Sequence, residues 1–402
     1  MPQAPLHGAR IEEYALIGDL ESAALVSREG SIDWLCWPSF ASPACFASLL
    51  GTAGNGYWRI KPNGSVVSIR RAYRERTAIL ETRFETEGGE VLLTDLMPIR
   101  GKHSDIIRSV RGIRGRVDLR MEFVLRFDYG LTVPWVTQGE HELRAIAGPN
   151  MVVLRSQCLQ GDPARLHGEG LTTVAEFTLE ADQEVCFVLT YAASNEDIPE
   201  AVDVSSEISD TESFWKDWSS RSAYNGPYEE AVLRSLLTLK SLSYRPTGGL
   251  VAAPTAGLPE SLGGERNWDY RYCWLRDAAF TLLILILAGF TEEAVNWRLW
   301  LLRAIAGAPD QLQTLYGING ERKLMEWTAN WLPGYENSRP VRIGNAAAEQ
   351  FQLDVFGEVA AALGRTPSAE DDLRMPARDL QVALTDHLCH VWDQPDDGIW
   401  ET

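Results

Sequence analysis

The sequence predicts an α+β protein of two domains: an N-terminal antiparallel β-sandwich over residues 1–200, a linker helix over 201–226, and an incomplete ring of helix pairs over 227–402. Three observations predict it. From Ile11 to Asp197, short β-branched and aromatic runs are broken by turn signals about every ten residues. Near residue 200 the apolar period changes from that of strands to that of helices. Beyond it, helical stretches are joined by two long loops, 247–267 and 310–344, rich in Gly, Pro and aromatics, and loops of that length inside a domain are often functional.

Taken in order, residues 23–27 and 31–37 flank Arg28-Glu29-Gly30 and read as a hairpin in which Gly30 takes a positive φ. Further strands are predicted at 56–60, 79–85, 91–96, 121–127, 151–156, 172–178 and 185–191, with Asn63-Gly64 and Gly88-Gly89 as turn chemistry. So many strands without intervening helical pattern predict a sandwich. Residues 205–220 are polar, with Phe214, Trp215 and Trp218 at helical spacing, and read as the linker helix. A helix over 228–244 carries Val232, Leu236 and Leu239 on one face and is stopped by Pro246 and Gly248-Gly249. The apolar stretch 278–290 is shorter than the ~20 residues a membrane helix needs, so it predicts a helix buried inside a soluble domain. Thr291 is expected to cap the next helix, with Val295, Leu299, Leu302 and Ala306 on one face. Asn345 is expected to cap a helix running through Leu363, and Pro376 to start another that ends near Val391. Apolar and amphipathic helices alternating between long loops predict an α-toroid, and the helices present fill only part of one.

The 37 basic and 56 acidic side chains give a net charge of −19. That balance argues against nucleic acid or an anionic membrane as partner, because both require a positive patch. Neutral ligands fit better. The 14 Trp outnumber the 12 Phe and 12 Tyr, and an indole face suits stacking on a sugar ring as well as core packing. Six scattered cysteines, and an opening stretch with no basic-then-apolar leader pattern, predict a cytoplasmic protein with reduced thiols. The composition leaves a homo-oligomer open.

HExxH, GxxxxGK[ST], GxSxG and CxxC motifs are all missing from the sequence, which removes support for zinc protease, P-loop and serine-hydrolase chemistry. His387, Cys389 and His390 do not share one helix face, so no metal or other cofactor is predicted. Three segments combine aromatics, carboxylates and Arg. Residues 266–277 hold three Arg, two Asp, two Tyr and two Trp just ahead of the apolar helix, where charged groups must be paired or face a cavity. The second pairs Trp331-Leu-Pro-Gly-Tyr335 with the run from Ser338 to Asn345; the third is Asp396-Asp-Gly-Ile-Trp-Glu401.

At these residues the chain resembles glycoside hydrolase family 15, the glucoamylases and related trehalases. Tyr14-Ala-Leu-Ile-Gly-Asp19, Gly30-Ser-Ile-Asp-Trp-Leu35, the run from Asn267 to Asp277, the run from Gly344 to Asp354, and Gly398-Ile-Trp-Glu401 carry the resemblance, in order along nearly the whole chain. It implies a β-sandwich followed by an (α/α)6 toroid, and inverting, metal-independent hydrolysis of an α-glucoside, trehalose or an α-glucan oligosaccharide. It also implies roles. Arg276 and Asp277 match the pair that binds the hydroxyls of the non-reducing glucose, Tyr270 and Trp274 line the same subsite, Arg342 is a substrate contact by position, and Glu401 matches the general acid with Trp400 beside it.

Inversion needs two carboxyl groups about 6.5–9.5 Å apart, one to protonate the leaving oxygen and one to activate water. The family's general base lies well downstream of its Trp-Glu motif. The resemblance therefore implies a truncated member that holds the acid and the sugar pocket without the base. The alternative is a non-catalytic carbohydrate-binding or assembly protein that keeps the pocket.

Overall fold

The computed structural model describes residues 9–365 and 374–399. The chain divides into two compact units, Met1–Ser219 with Leu332–Asn337, and Ser220–Trp331 with Ser338–Thr402.

The first unit is a large antiparallel sheet. Its strands are β1 (Tyr14–Gly18), β2 (Ala23–Ser27), β3 (Ser31–Cys36), β4 (Ala44–Phe46), β5 (Tyr57–Pro62), β6 (Val66–Tyr73), β7 (Leu80–Thr86), β8 (Gly89–Leu96), β9 (Ser104–Val124), β10 (Trp135–Gln138), β11 (Glu142–Ala147), β12 (Asn150–Gln160), β13 (His167–Glu169), β14 (Thr172–Glu180) and β15 (Glu184–Ala193). The main path runs β1-β2-β3-β5-β9-β15-β12-β11-β10. The β2–β3 hairpin forms as predicted, with Gly30 at φ 74°, and a Cβ there would stand 2.5 Å from the Ile60 carbonyl oxygen, so only glycine fits.

Two separate sheets were the expectation for a sandwich; here one 21-residue strand, β9, belongs to both halves. Its first part pairs with β8 and β15, its last part with β5 and β14. The bend between them needs Gly115, at φ 68°, where a Cβ would meet the Gly88 carbonyl oxygen at 2.1 Å. The two halves face each other across one apolar core that takes Trp58, Met121 and Phe123 from one and Phe84, Leu154 and Phe187 from the other. The prediction of a strand at 121–127 captured only the end of β9, because Arg and Gly between 111 and 116 hide the period in its middle.

Helix α1 (Val204–Ser220) lays Val204 and Ile208 against Ile79, Leu96, Ile107 and Val188 of the first unit, and Glu212 accepts from Arg74 at 2.5 Å.

The second unit contains α2 (Glu229–Ser241), α3 (Leu275–Leu287), α4 (Thr291–Ala304), α5 (Asp354–Arg365) and α6 (Arg374–Val391). Helix α3 packs on α4 and α5, and α5 on α6. Three expectations need correction. Helix α3 is not enclosed: Leu275, Ala278, Leu282 and Leu285 are buried, but Phe280, Ile284 and Leu287 are 59%, 47% and 70% exposed. Thr291 is the first helical residue of α4 and caps nothing, and the buried face is that of Trp297, Trp300, Leu301 and Ala304. Asn345 caps only a short 3-10 turn, Ala346–Glu349, through Ala347 N–H to Oδ1 at 3.0 Å, and α5 starts afresh at Asp354. Among the described residues no helix is long and apolar enough to cross a membrane. Cys36, Cys45, Cys186 and Cys273 are buried thiols, whereas Cys389 is exposed.

Candidate functional site

The first aromatic–charged segment and the 338–345 run of the second are bound side by side within the second unit. Residues Asn267–Asp269 pair with Ala256–Pro259 as a short hairpin. Buried Asn267 donates from Nδ2 to the carbonyls of Gly264 and Pro340, each at 3.0 Å. Asp269, wholly buried, takes Arg271 Nε and NH2 at 2.9 and 2.7 Å and the Gly344 N–H at 3.1 Å, while its carbonyl accepts from Asn345 Nδ2 at 3.1 Å. A buried charge pair in this geometry cross-links the two loops, and removing one member would strand the other. Neither Asp269 nor Trp268 stood out in the sequence. The signal was there, since Asp-x-Arg on an extended stretch puts both side chains on one face.

Tyr270 is held at its backbone by Thr255 and Ala253. Cys273-Trp274 pairs with Leu315-Tyr316, which delivers Trp274 to the N-terminus of α3. Trp274 is 4% exposed; the Arg276 guanidinium lies 5.4 Å over its ring, and Arg276 Nε is 3.8 Å from Asp277 Oδ2. Asp277 sits in the first turn of α3, where the helix dipole favours a carboxylate. Its side chain is about half exposed. The surrounding protein nevertheless pushes its carboxyl above the ordinary range, and Arg276 draws it part of the way back.

The third segment joins them. Asp397 exchanges two hydrogen bonds with Phe351, side chain to N–H and N–H to carbonyl, each at 2.9 Å, and Asp396 accepts from the Leu353 N–H at 3.0 Å. The next turn brings the Ile399 carbonyl to Arg276, which donates from NH1 at 2.6 Å. The break ahead of α5 thus has a use, because it frees the N–H groups of residues 351 and 353 to anchor this turn. Trp400 and Glu401 lie outside the described residues. Two buried polar groups at these helix ends, the Trp274 indole N–H and both Asp354 carboxylate oxygens, have no protein hydrogen-bond partner among the described residues. Glu358, one turn after Asp354 on α5, lines a small cleft between α3 and α5 together with Phe280 and Leu283.

Arg342 stands on the neighbouring loop. Thr328 pairs with it across a two-residue bridge, and its guanidinium lies 4.6 Å over the Trp268 ring, with Nε 3.3 Å from Glu326. The second cluster is split by the fold: Tyr335 belongs to the first unit, where its hydroxyl accepts from the Ile11 N–H at 2.8 Å.

Gly344 makes the loop crossing at Arg342 feasible. It has φ 87°, and a Cβ would stand 2.0 Å from the Met325 carbonyl oxygen. Gly344→Ala is expected to cost on the order of 2 kcal/mol, from left-handed strain plus a backbone overlap that cannot rotate away. Thermal unfolding should register this as a drop of several degrees, and an unchanged midpoint would show that the crossing relaxes freely.

The sequence model described as "Glycosyl hydrolases family 15" matches residues 226–402, and that described as "Trehalase-like, N-terminal" matches residues 5–215. A protein named trehalase from Thermoplasma volcanium is 33% identical over 401 residues, covering 98% of this chain and 63% of that protein. Another named trehalase, from Mycolicibacterium smegmatis, is 33% identical over 422 residues, covering 97% and 62%. This chain therefore spans about three fifths of the length of such relatives. A crystal structure of a bacterial glucoamylase complexed with acarbose superposes with a TM-score of 0.63 at 13% identity, over 98% of this chain and 60% of that one. At that identity the likeness is one of fold.

Proposed function

The chain belongs to the glycosyl hydrolases of family 15 with a trehalase-like N-terminal region, and from that membership we propose that it takes part in the hydrolysis of an α-glucoside, with trehalose as the first candidate and maltooligosaccharides as the second. The observation that carries the proposal is the Arg276–Ile399 hydrogen bond, which ties the Gly398 segment to the N-terminus of α3 beside Asp277. In this reading Arg276 and Asp277 bind the hydroxyls of the non-reducing glucose, Tyr270, Trp274 and Trp400 line its ring, Arg342 contacts the second sugar, and Glu401 protonates the leaving oxygen as inversion proceeds. An acid in that role needs a raised pKa, and packing against an indole supplies the desolvation that raises one. The helical unit is read as the first part of an (α/α)6 toroid. The exposed apolar face of Phe280, Ile284 and Leu287 supports this, since a surface of that kind calls for a covering element. The named trehalases' likeness in sequence favours trehalose; a cytoplasmic setting suits a small sugar of that kind.

Glucose release from trehalose and from maltose by the purified chain tests the reading, with Glu401→Gln beside it. Loss of at least about a hundredfold in rate on that substitution is the expected result for a general acid. Equal turnover by the variant would remove Glu401 from the role. Sugar binding without turnover in both proteins would favour the carbohydrate-binding alternative.

A further inference from the structure

We infer that Glu326 is a positioning residue that aims the Arg342 guanidinium at the bound sugar, with Trp268 as the platform under it. The inference rests on the hydrolase reading for the identity of the ligand.

Arg342 is constrained on three sides. One face of its guanidinium lies on the Trp268 indole at 4.6 Å. Its Nε is 3.3 Å from Glu326 Oε1, and NH1 donates to the Glu265 carbonyl. The platform is itself fixed, since Trp268 Nε1 donates to Glu260 at 3.0 Å. Glu326 is fixed too: its second oxygen, Oε2, accepts from the Ala346 N–H at 3.2 Å, in the turn that Asn345 caps. The crossing at Gly344 brings the backbone of Met325 and Glu326 against the Arg342 strand. What remains is the NH2 group, which donates to no protein atom among the described residues.

A surface ion pair that only pinned a loop would need none of this. Both side chains are about four-fifths buried, at 21% and 23% exposure, and desolvating two charges to hold a loop gains little over an apolar contact. An Arg held by a stacked ring, a carboxylate and a carbonyl has lost most of its rotamers before ligand arrives, so a sugar hydroxyl meets a donor whose ordering entropy is already spent. The neutral ligand suits the arrangement. Glu326 offsets the charge of Arg342 and leaves a directed donor, whereas an unpaired guanidinium would select anions.

Calorimetric titration of trehalose into the full chain tests the inference, with Glu326→Gln, Arg342→Gln and the double variant. Glutamine keeps the size and the acceptor for the Ala346 N–H, so Glu326→Gln should weaken binding about tenfold by loosening a charge-assisted contact. If Glu326 acts through Arg342, the double variant binds no worse than Arg342→Gln alone. Glu326→Gln that lowers the unfolding midpoint and leaves affinity unchanged would make the pair structural and overturn the inference. So would a tenfold loss that persists in the Arg342→Gln background. Should Glu326→Gln fail to fold, Trp268→Leu interrogates the same guanidinium from its other face, with a loss of affinity expected there and unchanged affinity counting against the proposal. A wild-type chain that binds neither trehalose nor maltose would sink the hydrolase reading and this inference together, a result recognisable because it appears before any variant is made.

Discussion

Arg108→Ala is expected to destabilise the β unit by about 3–5 kcal/mol, the range found when one partner of a buried ion pair is removed. Arg108 has no exposed side-chain surface. Its Nε meets Asp95 Oδ1 at 2.7 Å, NH1 donates to the Trp58 carbonyl at 2.5 Å, NH2 to the Gly30 carbonyl at 2.8 Å, and its plane lies 5.1 Å over the Trp58 ring. Truncation leaves a fully buried carboxylate without its cation and takes a donor from the Trp58 and Gly30 carbonyls, where the β2–β3 hairpin meets β5; Gly30 keeps the Ile60 N–H, at 3.0 Å. Lys at this position supplies a charge without the fork and should recover only part of the loss. Replacing both partners, Arg108→Met with Asp95→Leu, should cost less than Arg108→Ala alone, because no charge is then left unpaired. The pH dependence has a definite sign. Burial raises the Asp95 carboxyl above its ordinary range while Arg108 lowers it, so without Arg108 the folded value rises further. A raised carboxyl costs stability as pH climbs through it and costs nothing once protonated. The deficit of Arg108→Ala should therefore be largest near neutrality and shrink in acid. Denaturant midpoints across pH, read by tryptophan fluorescence, give the answer; a deficit that grows toward low pH would refute the ion-pair account.

What the chain revealed of its fold depended on whether short-range pattern carried the information. The β2–β3 hairpin was legible because Gly30 declares its own φ. Helix α3 was legible as a helix but not as a half-exposed one: thirteen apolar-rich residues look the same whether they are covered on one side or two, and exposure is decided by what packs against them. The buried face of α4 was missed for a related reason. Val295, Leu299 and Leu302 share a helical stripe, yet two Trp at 297 and 300 offer far more area, and packing follows area. Residues 345–363 read as one helix because the sequence contains no Gly or Pro at 350–353; the interruption comes from Asp396 and Asp397, more than forty residues away, capturing the N–H groups of Phe351 and Leu353.

The same division runs through the site. Arg276, Asp277 and Trp274 could be named because they are crowded into one short stretch. Asp269 carries a local mark in its pairing with Arg271 but not in its reach to Gly344 and Asn345, and Glu326 and Trp268 act through partners farther along the chain, Ala346 and Arg342; a lone carboxylate such as Glu326 shows nothing of the cross-link it will form.

Arg276→Ala and Asp277→Asn should each weaken trehalose binding about a hundredfold, and for separable reasons. Ionised, Asp277 serves a sugar only as an acceptor. Its amide replaces one acceptor oxygen by a donor, and two charge-assisted hydrogen bonds to hydroxyls are worth about that factor together. Arg276 has a double task, since its NH1 already holds the Ile399 carbonyl. If Arg276 also meets the sugar as proposed, alanine there removes that contact and releases the turn leading to Glu401, so binding and any turnover should fall together, with turnover falling further. Arg276→Lys retains a charge, but a single ammonium cannot span both the carbonyl and a hydroxyl, and should restore binding more than turnover. Titration separates Asp277 from the rest. Its carboxyl is shifted upward by the protein around it and must be ionised to accept with both oxygens as a charged group, so affinity for trehalose should climb as pH rises through a value above the usual carboxylate range and then level off. In Asp277→Asn that climb should vanish, leaving a flat and weak profile in acid. Calorimetry at several pH values measures both curves; a wild-type affinity indifferent to acid, or an acid-sensitive Asp277→Asn, would take Asp277 out of the sugar's hydrogen-bonding shell.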